Sequence, residues 1–364
     1  MKRAKFILLS VLMTAALLLV GTVSTILQKK DEFIPPVPTF ISAPVAEVFG
    51  KDGIPIDHAL QYDPLQITSE HIIFSDRVLE IFTYSQKETQ FGASKINHAM
   101  QSVPDGINKY LIIAPTRIIT EDEAYMEYSD DISTAISETY SAMPSDVIGV
   151  NVSDPLLSHL NEYLFFRTEH TWTSMGAYYA ALAYCQASGV TPPDISKYRE
   201  YRFTGYVGAL KEMTQTDSLL DFPDYVAFYM SDGMKNEQTI TARLSIDEFV
   251  TYDSPAISQA RMGTDIYIGA YFSHTIIEGD VTNGKALMIV GDEFAKSFAG
   301  WMIPCYEKIV LVDPRYFAGS DAEFMQMFAD YQITDFLILE NAQNLGESIL
   351  NTRINQLLTG STPA

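Results

Sequence analysis

The sequence predicts an α/β fold on a mainly parallel sheet, and three observations carry that expectation. Short apolar runs recur, each closed by a turn residue. They are Tyr110-Leu111-Ile112-Ile113-Ala114 before Pro115, Val147-Ile148-Gly149-Val150, Ala286-Leu287-Met288-Ile289-Val290 before Gly291, Ile309-Val310-Leu311-Val312 before Asp313-Pro314, and Phe336-Leu337-Ile338-Leu339. Runs without polar alternation are the pattern of strands buried on both faces. Helix-like stretches separate these runs, and strands alternating with helices imply parallel pairing with both sheet faces covered. Finally, the 364 residues are 47% hydrophobic and 12% aromatic. That composition supplies a sizeable core and excludes general disorder.

The elements follow in chain order. Lys2, Arg3 and Lys5 precede an uncharged apolar run over residues 6–27, long enough to cross a bilayer at about 1.5 Å per residue. The positive leader favours an N-inside orientation. Residues 1–32 are therefore expected to be a cytoplasmic leader and transmembrane signal anchor, which makes the chain a single-pass cell-membrane protein with its bulk extracytoplasmic. Cleavage near Thr22 or Ser24 would release it as a secreted protein. Pro35, Pro36, Pro38 and Pro44 mark residues 33–50 as a stiff, extended spacer. The globular domain then occupies residues 51–364.

Within that domain, helices are expected at 132–142, 156–164, 174–187 with a stop at Gly189, from the strand end at 291 to about 301, at 322–330 and at 349–358. Residues 195–282 read differently. Stretches such as Tyr225-Val226-Ala227-Phe228-Tyr229-Met230 and Phe249-Val250-Thr251-Tyr252 favour short antiparallel strands, so this region is expected to be a β-rich insertion.

Charge narrows the function. Lys and Arg total 24 against 46 Asp and Glu, a net charge of −22. Phosphate contacts and anionic lipid surfaces both need clustered cations, so nucleic acid is excluded as a partner and the membrane is reached only through the N-terminal helix. Cys185 and Cys305 are too few for a disulfide framework or a four-sulfur zinc site and read as buried thiols. No spacing singles out a metal or a cofactor, and none is expected. His58, His71 and His98 are scattered and carry no assignment.

Two local constellations stand out. Gly291-Asp292-Glu293-Phe294 lies where an apolar strand turns into a helix, and in open α/β sheets ligands bind at the carboxyl ends of strands. A tight turn with a capped helix start would use the same residues. Arg167-Thr168-Glu169-His170-Thr171-Trp172-Thr173 runs into Ser174-Met175-Gly176-Ala177 and brings one of six histidines beside one of two tryptophans.

These residues resemble the DHHW family, named for Asp-His-His-Trp and belonging to the SGNH hydrolase-like group. The sequence is similar to bacterial proteins that O-acetylate alginate and other exopolysaccharides. The resemblance extends in order through Leu111-Ile112-Ile113-Ala114-Pro115-Thr116, Phe203-Thr204-Gly205-Tyr206-Val207-Gly208-Ala209-Leu210, residues 285–298, Asp313-Pro314-Arg315-Tyr316 and Ile333-Thr334-Asp335-Phe336-Leu337. It covers roughly residues 105–345, and it implies an SGNH-like three-layer sandwich.

The family's nucleophilic Ser falls at Glu293, its general-base His at Thr171 and its orienting Asp at Glu169. Its oxyanion-hole segment falls near Ala270-Tyr271-Phe272-Ser273-His274, without the family's Gly-Asn pair. Asp292, Trp172 and Arg315 remain as scaffold, with Trp172 and Arg315 the substrate-binding candidates. Ser297 is one helical turn past Glu293 and too deep to replace the nucleophile. His170 adjoins the base position, but adjacent residues around a turn point in different directions.

A carboxylate attacking an acetyl ester would give a reactive mixed anhydride, and threonine is no base near neutral pH. The expected function is therefore that of a pseudoenzyme, a catalytically degenerate, non-catalytic envelope protein. It would bind cell-surface polysaccharide or another envelope glycan, or a partner such as a membrane-bound acyltransferase in a polysaccharide-modifying system. The alternative is an active carbohydrate O-acetyltransferase or esterase with a rearranged site, in which Glu169, Asp292 and Glu293 converge beside His170. Glycosidic cleavage by paired carboxylates and divalent-metal binding are open within that alternative.

Overall fold

The computed structural model describes residues 63–360 apart from 122, 246–247, 270–271 and 347, all within the compact unit Ser42–Ala364. The expected leader, transmembrane anchor and Pro-rich spacer lie outside the described residues. Among the described residues no helix is long and apolar enough to cross a membrane.

A mixed eight-stranded sheet organises the chain. Its order is Val147–Gly149, Asn108–Ala114, Asp335–Asn341, Ala286–Gly291, Lys308–Val312, Phe272–Glu278, Glu237–Ser245 and Glu248–Pro255. The first five strands pair in parallel, and the last three continue the sheet antiparallel.

Residues alternate between the two faces along each strand. Ile112, Leu287, Ile289, Leu311, Leu337 and Leu339 point to one core, which also takes in Ala181, Tyr184, Phe294 and Phe298 from helices Ser174–Ser188 and Phe294–Met302. Leu111, Ile113, Met288, Val310, Phe336 and Ile338 point to the other, where helices Gln86–Gln101, Ile132–Ser141, Asp321–Asp330 and Ile349–Thr359 cover them. The result is three layers, helix, sheet and helix, and four of the apolar runs are apolar because both sides of each strand are packed; the expected buried strand at Val147–Gly149 is instead an exposed edge strand, with Ile148 45% accessible, because it has a neighbour on one side only.

Two expectations change. The helix expected at 156–164 is confined to Ser153–Leu157, because residues 163–173 fold back on themselves in a hairpin-like turn. The β-rich region is not wholly set apart. Strands Arg199–Tyr206 and Asp224–Met230 pair only with each other, whereas Phe272–Glu278 pairs along Lys308–Val312 and extends the main sheet. That pairing satisfies backbone groups that would otherwise line an open parallel edge.

The turn out of strand Ala286–Gly291 needs glycine. A Cβ on Gly291 would lie 2.2 Å from the Leu339 carbonyl oxygen of the neighbouring strand, so Asp292 and Glu293 are delivered to the carboxyl end of the sheet by a close backbone approach.

Behind this turn sits Glu340, fully buried, with neither carboxylate oxygen meeting a hydrogen-bond donor among the described residues; buried Asn351 Oδ1 likewise has no partner there. Burial, reinforced by the Asp292 charge and opposed by Asn351, raises Glu340 well above its ordinary value of 4.5. A neutral carboxyl also supplies the O–H that Asn351 Oδ1 can accept. Because the folded-state value is raised, the stability linked to this group is complete below its ordinary value and is lost as pH rises through the folded value. Glu340→Gln is expected to stabilise the domain near neutral pH by on the order of 1–3 kcal/mol, with the gain shrinking towards acid. Chemical denaturation from about pH 4 to pH 9 measures it, and identical pH slopes for the two proteins would refute it.

Candidate active-site cleft

The first wall of the site is the tip of the 163–173 turn. Phe165 bridges to Trp172, the Phe166 N–H donates to the Thr171 carbonyl at 3.2 Å, and the Thr173 N–H donates to the Leu164 carbonyl at 2.8 Å. Asp224, from the neighbouring strand pair, locks the tip. Its Oδ1 accepts from the Tyr163 hydroxyl and, at 3.2 Å each, from the Arg167 N–H and Nε. Its Oδ2 accepts from the Thr168 N–H at 2.8 Å and the Thr168 hydroxyl at 2.6 Å.

Gly208 closes from the side. Its N–H donates to Thr168 Oγ1 at 2.8 Å, and a Cβ there would meet Glu169 Cβ at 2.5 Å. The backbone of 207–209 and the Glu169 side chain can touch only because position 208 has no side chain.

Glu169 is buried and fully engaged. Its Oε2 accepts from the Tyr206 hydroxyl at 2.8 Å and the Ala209 N–H at 3.0 Å, and its Oε1 accepts from the His170 N–H at 2.9 Å. Burial opposes ionisation, but the His170 interactions and the two backbone N–H groups outweigh it and hold the carboxyl at about 2. His170 Nδ1 lies against Glu169 Oε1, a charge contact and not a directed hydrogen bond.

On its other side, His170 Nε2 faces Glu293 Oε2 at 3.9 Å. His170 and Thr171 were expected to point in different directions, and it is the His170 ring that enters between the two carboxylates. The tight tip places its ring between Glu169 and Glu293. Burial works against the charged imidazole, yet the two flanking carboxylates, with Glu80 beyond them, raise His170 well above its ordinary 6.5.

Glu293 forms the start of helix Phe294–Met302. Burial again opposes its charge, but His170 and Arg315 lower it far below its ordinary range, and the helix N-terminus favours an anion there. Arg315 Nη2 donates to Glu293 Oε1 at 2.8 Å and to Asp313 Oδ2 at 2.6 Å, and its Nε donates to Asp313 Oδ1 at 2.9 Å. Glu169, His170, Glu293, Arg315 and Asp313 therefore form one chain of alternating charge.

The other sequence candidates take different places. Asp292 is a structural group. Its Oδ1 accepts from the Phe294 N–H at 3.0 Å, and its Oδ2 accepts from the Asn341 N–H at 2.7 Å and Asn344 Nδ2 at 3.0 Å. Burial and the Glu293 charge push it up to about 7. Trp172 is 1% exposed, its indole N–H donating to the Phe294 carbonyl at 3.0 Å. It is a strut beneath the cleft, and its faces are closed to a ligand, contrary to the substrate-binding expectation. Thr171 is buried at the cleft floor and Ser297 is buried in the helix. In the expected oxyanion segment, residues 270 and 271 lie outside the described residues. Ser273 Oγ already accepts the Ala318 N–H at 2.8 Å.

Around these groups opens a cleft of about 230 Å³. Lys296, Asp265, Thr264, Phe272 and Tyr316 complete its lining, and Lys296 Nζ donates to Asp265 Oδ1 at 3.0 Å. Asp313 and Tyr206 lie in stretches that carried the family resemblance. Glu80, Asp265 and Lys296 had no local signal, since ordinary surface charges look the same in sequence. Burial drives Glu80 up to about 7, with His170 opposing and Glu169 adding. Among the described residues no cluster of three or more His, Cys, Asp or Glu is arranged to hold a metal.

A helix start at the carboxyl end of a parallel strand, facing a carboxylate–histidine pair on a neighbouring turn, places the chain among three-layer α/β proteins with their cleft at the strand ends. Within that class the chain belongs to the DHHW family: the profile described as DHHW protein matches residues 67–312, more than half its length. Among solved structures, it is similar to a DHHW family protein from Eubacterium siraeum, with 21% identity, a TM-score of 0.68, and 81% of this chain and 98% of that one covered. It is also similar to Bacillus cereus PatB1 carrying a sulfonyl adduct, with 13% identity, a TM-score of 0.64, and 79% and 97% covered. At these identities the likeness is one of fold. No curated protein matches the chain.

Proposed function

We propose that this protein is a catalytically silent DHHW-family member that uses the family cleft to bind an envelope polysaccharide. The arrangement of His170 between Glu169 and Glu293 carries this reading. A serine-type mechanism needs a nucleophile that can lose a proton and a neutral base to take it. Here the nucleophile position holds a carboxylate tied to Arg315. The imidazole in reach among the described residues lies between two carboxylates that favour its charged form, which makes it a poor proton acceptor. The cleft itself is open, and its carboxylate oxygens and Tyr316 suit sugar hydroxyls and ring faces.

In this reading residues 1–32 anchor the chain in the cell membrane, the domain works outside the cytoplasm, and its partner is an envelope glycan or a membrane-bound acyltransferase that modifies one. The alternative, an active carbohydrate esterase or O-acetyltransferase, draws support from the reach of His170 to position 293.

An acetyl-ester hydrolysis assay on the full chain beside Glu293→Ala separates the two. No turnover in either protein is expected. Turnover by the native chain that disappears in the variant would overturn the silent reading.

A further inference from the structure

Two helices deliver the two sides of the cleft, and both begin at it. Ser174–Ser188 follows directly on the turn that holds Glu169 and His170, and Phe294–Met302 follows directly on Glu293. Near these starts the Trp172 indole N–H ties the two together by donating to the Phe294 carbonyl at 3.0 Å. At their other ends they meet again. The Tyr184 and Tyr306 hydroxyls share a buried hydrogen bond of 2.8 Å, and Phe298 packs edge-on against Tyr184 with ring centroids 5.7 Å apart.

The chain's two cysteines adjoin this hydroxyl pair, one on each side of the junction. Cys185 opens the last turn of the first helix. Cys305 lies in the turn after the second, its N–H donating to the Met302 carbonyl at 2.9 Å. Both thiols are free and buried, 2% and 3% exposed. They are hydrogen-bonded to each other, and Cys305 Sγ also reaches the Trp301 carbonyl at 3.6 Å. The bond to Cys185, with burial, holds the Cys305 thiol far above its ordinary value, so in the folded chain it offers no thiolate to an oxidant. Oxidation of the pair therefore belongs to folding, while both sulfurs still meet solvent.

We propose that Cys185 and Cys305 are joined by a disulfide in the mature protein, clipping together the ends of the two helices that build the cleft. This rests on the placement of the domain outside the cytoplasm, the compartment where disulfides form and persist, and not on glycan binding. The oxidant is an external disulfide, that of an envelope thiol oxidoreductase. One cysteine thiolate of the open chain attacks a sulfur of that disulfide and releases the first oxidoreductase thiolate. The second cysteine thiolate attacks its partner's sulfur in the mixed disulfide and releases the other. The cysteines lose two protons and two electrons, and the oxidoreductase disulfide is reduced to a dithiol. Closing a loop this long removes much freedom from the unfolded chain, so the bond holds the cleft walls in register against unfolding.

The test is thiol counting on the full chain exported by its own leader. The protein is denatured in acid to block exchange, then labelled with a polyethylene-glycol maleimide with and without prior reduction. No label is expected before reduction and two labels after it, on a chain that migrates as a monomer without reductant. In Cys185→Ala, Cys305 is expected to take one label without reduction. Labelling is done on denatured protein, so this result does not depend on how well the variant folds. A Cys305 that stays blocked in the variant has another partner and overturns the proposal, as does a disulfide-linked dimer of the native chain. Two labels before reduction overturn the pairing alone when a protease added outside the intact cells reaches the domain. Two labels on a domain the protease does not reach overturn the pairing and the extracytoplasmic placement together.

Discussion

Asp224→Ala is expected to destabilise the domain by on the order of 3–5 kcal/mol and to dismantle the cleft wall with it. One carboxylate accepts five hydrogen bonds, from the Tyr163 hydroxyl, the Arg167 N–H and Nε, and the Thr168 N–H and hydroxyl. Without it the Arg167 guanidinium keeps, among the described residues, hydrogen bonds to the Phe222 and Pro223 carbonyls, at 2.9 and 2.8 Å, and is a buried charge with no directly bonded counter-ion, Asp76 acting on it only through its field. Removing one partner of a buried pair strands the other, which is why the expected loss is large although the intact pair adds little net stability. Asp224→Asn keeps the shape and part of the bonding and should lose less. The measurement is the urea midpoint of the three proteins. A loss below about 1 kcal/mol for the alanine variant would mean that the 163–173 turn is held by its packing alone.

The second large effect concerns the protonation of His170. Glu169→Gln and Glu293→Gln are both expected to lower its titration point, with Glu169→Gln the larger change because that carboxylate makes the dominant favourable interaction. Nuclear magnetic resonance of the imidazole carbons across a pH series reads this directly. A titration unchanged in both variants would remove the physical basis for a silent site.

The same network sets acid stability. Glu169 is held at about 2 against an ordinary 4.5, so its contribution is complete above the ordinary value and is lost as pH falls through the folded one. With the side chain only 9% exposed, that contribution is on the order of 3 kcal/mol. Glu293, also lowered, adds in the same direction, reduced by its exposure. Glu293→Gln should therefore unfold over a flatter acid limb than the native chain.

Much of the architecture is written locally. Four of the apolar runs could be placed on the sheet because a strand packed on both faces has no polar residue to spare; the fifth, Val147–Gly149, joins them as a parallel neighbour but is an exposed edge strand. The helix after Thr173 could be placed because a threonine cap and a glycine stop bracket an alanine-rich stretch, and the structure bonds Thr173 Oγ1 to the Met175 N–H and ends the helix at Gly189 with φ of 70°. The helix at 156–164 was misjudged because apolar spacing alone does not distinguish a short helix from a packed turn.

The sequence by itself determined the unbroken apolar strands and the capped helix after Thr173, and its family resemblance sets up the expectation that residues 169, 171 and 293 stand at the family's three chemical positions. Only the tertiary structure decided that His170 enters the cleft, that Lys296 and Asp265 share its mouth, and that Trp172 is closed off beneath it. The direction of the His170 ring is set by a turn whose backbone is held by Asp224 and crowded by Gly208, residues far along the chain from it. Side-chain direction in a turn follows from such distant contacts, and no local pattern encodes them.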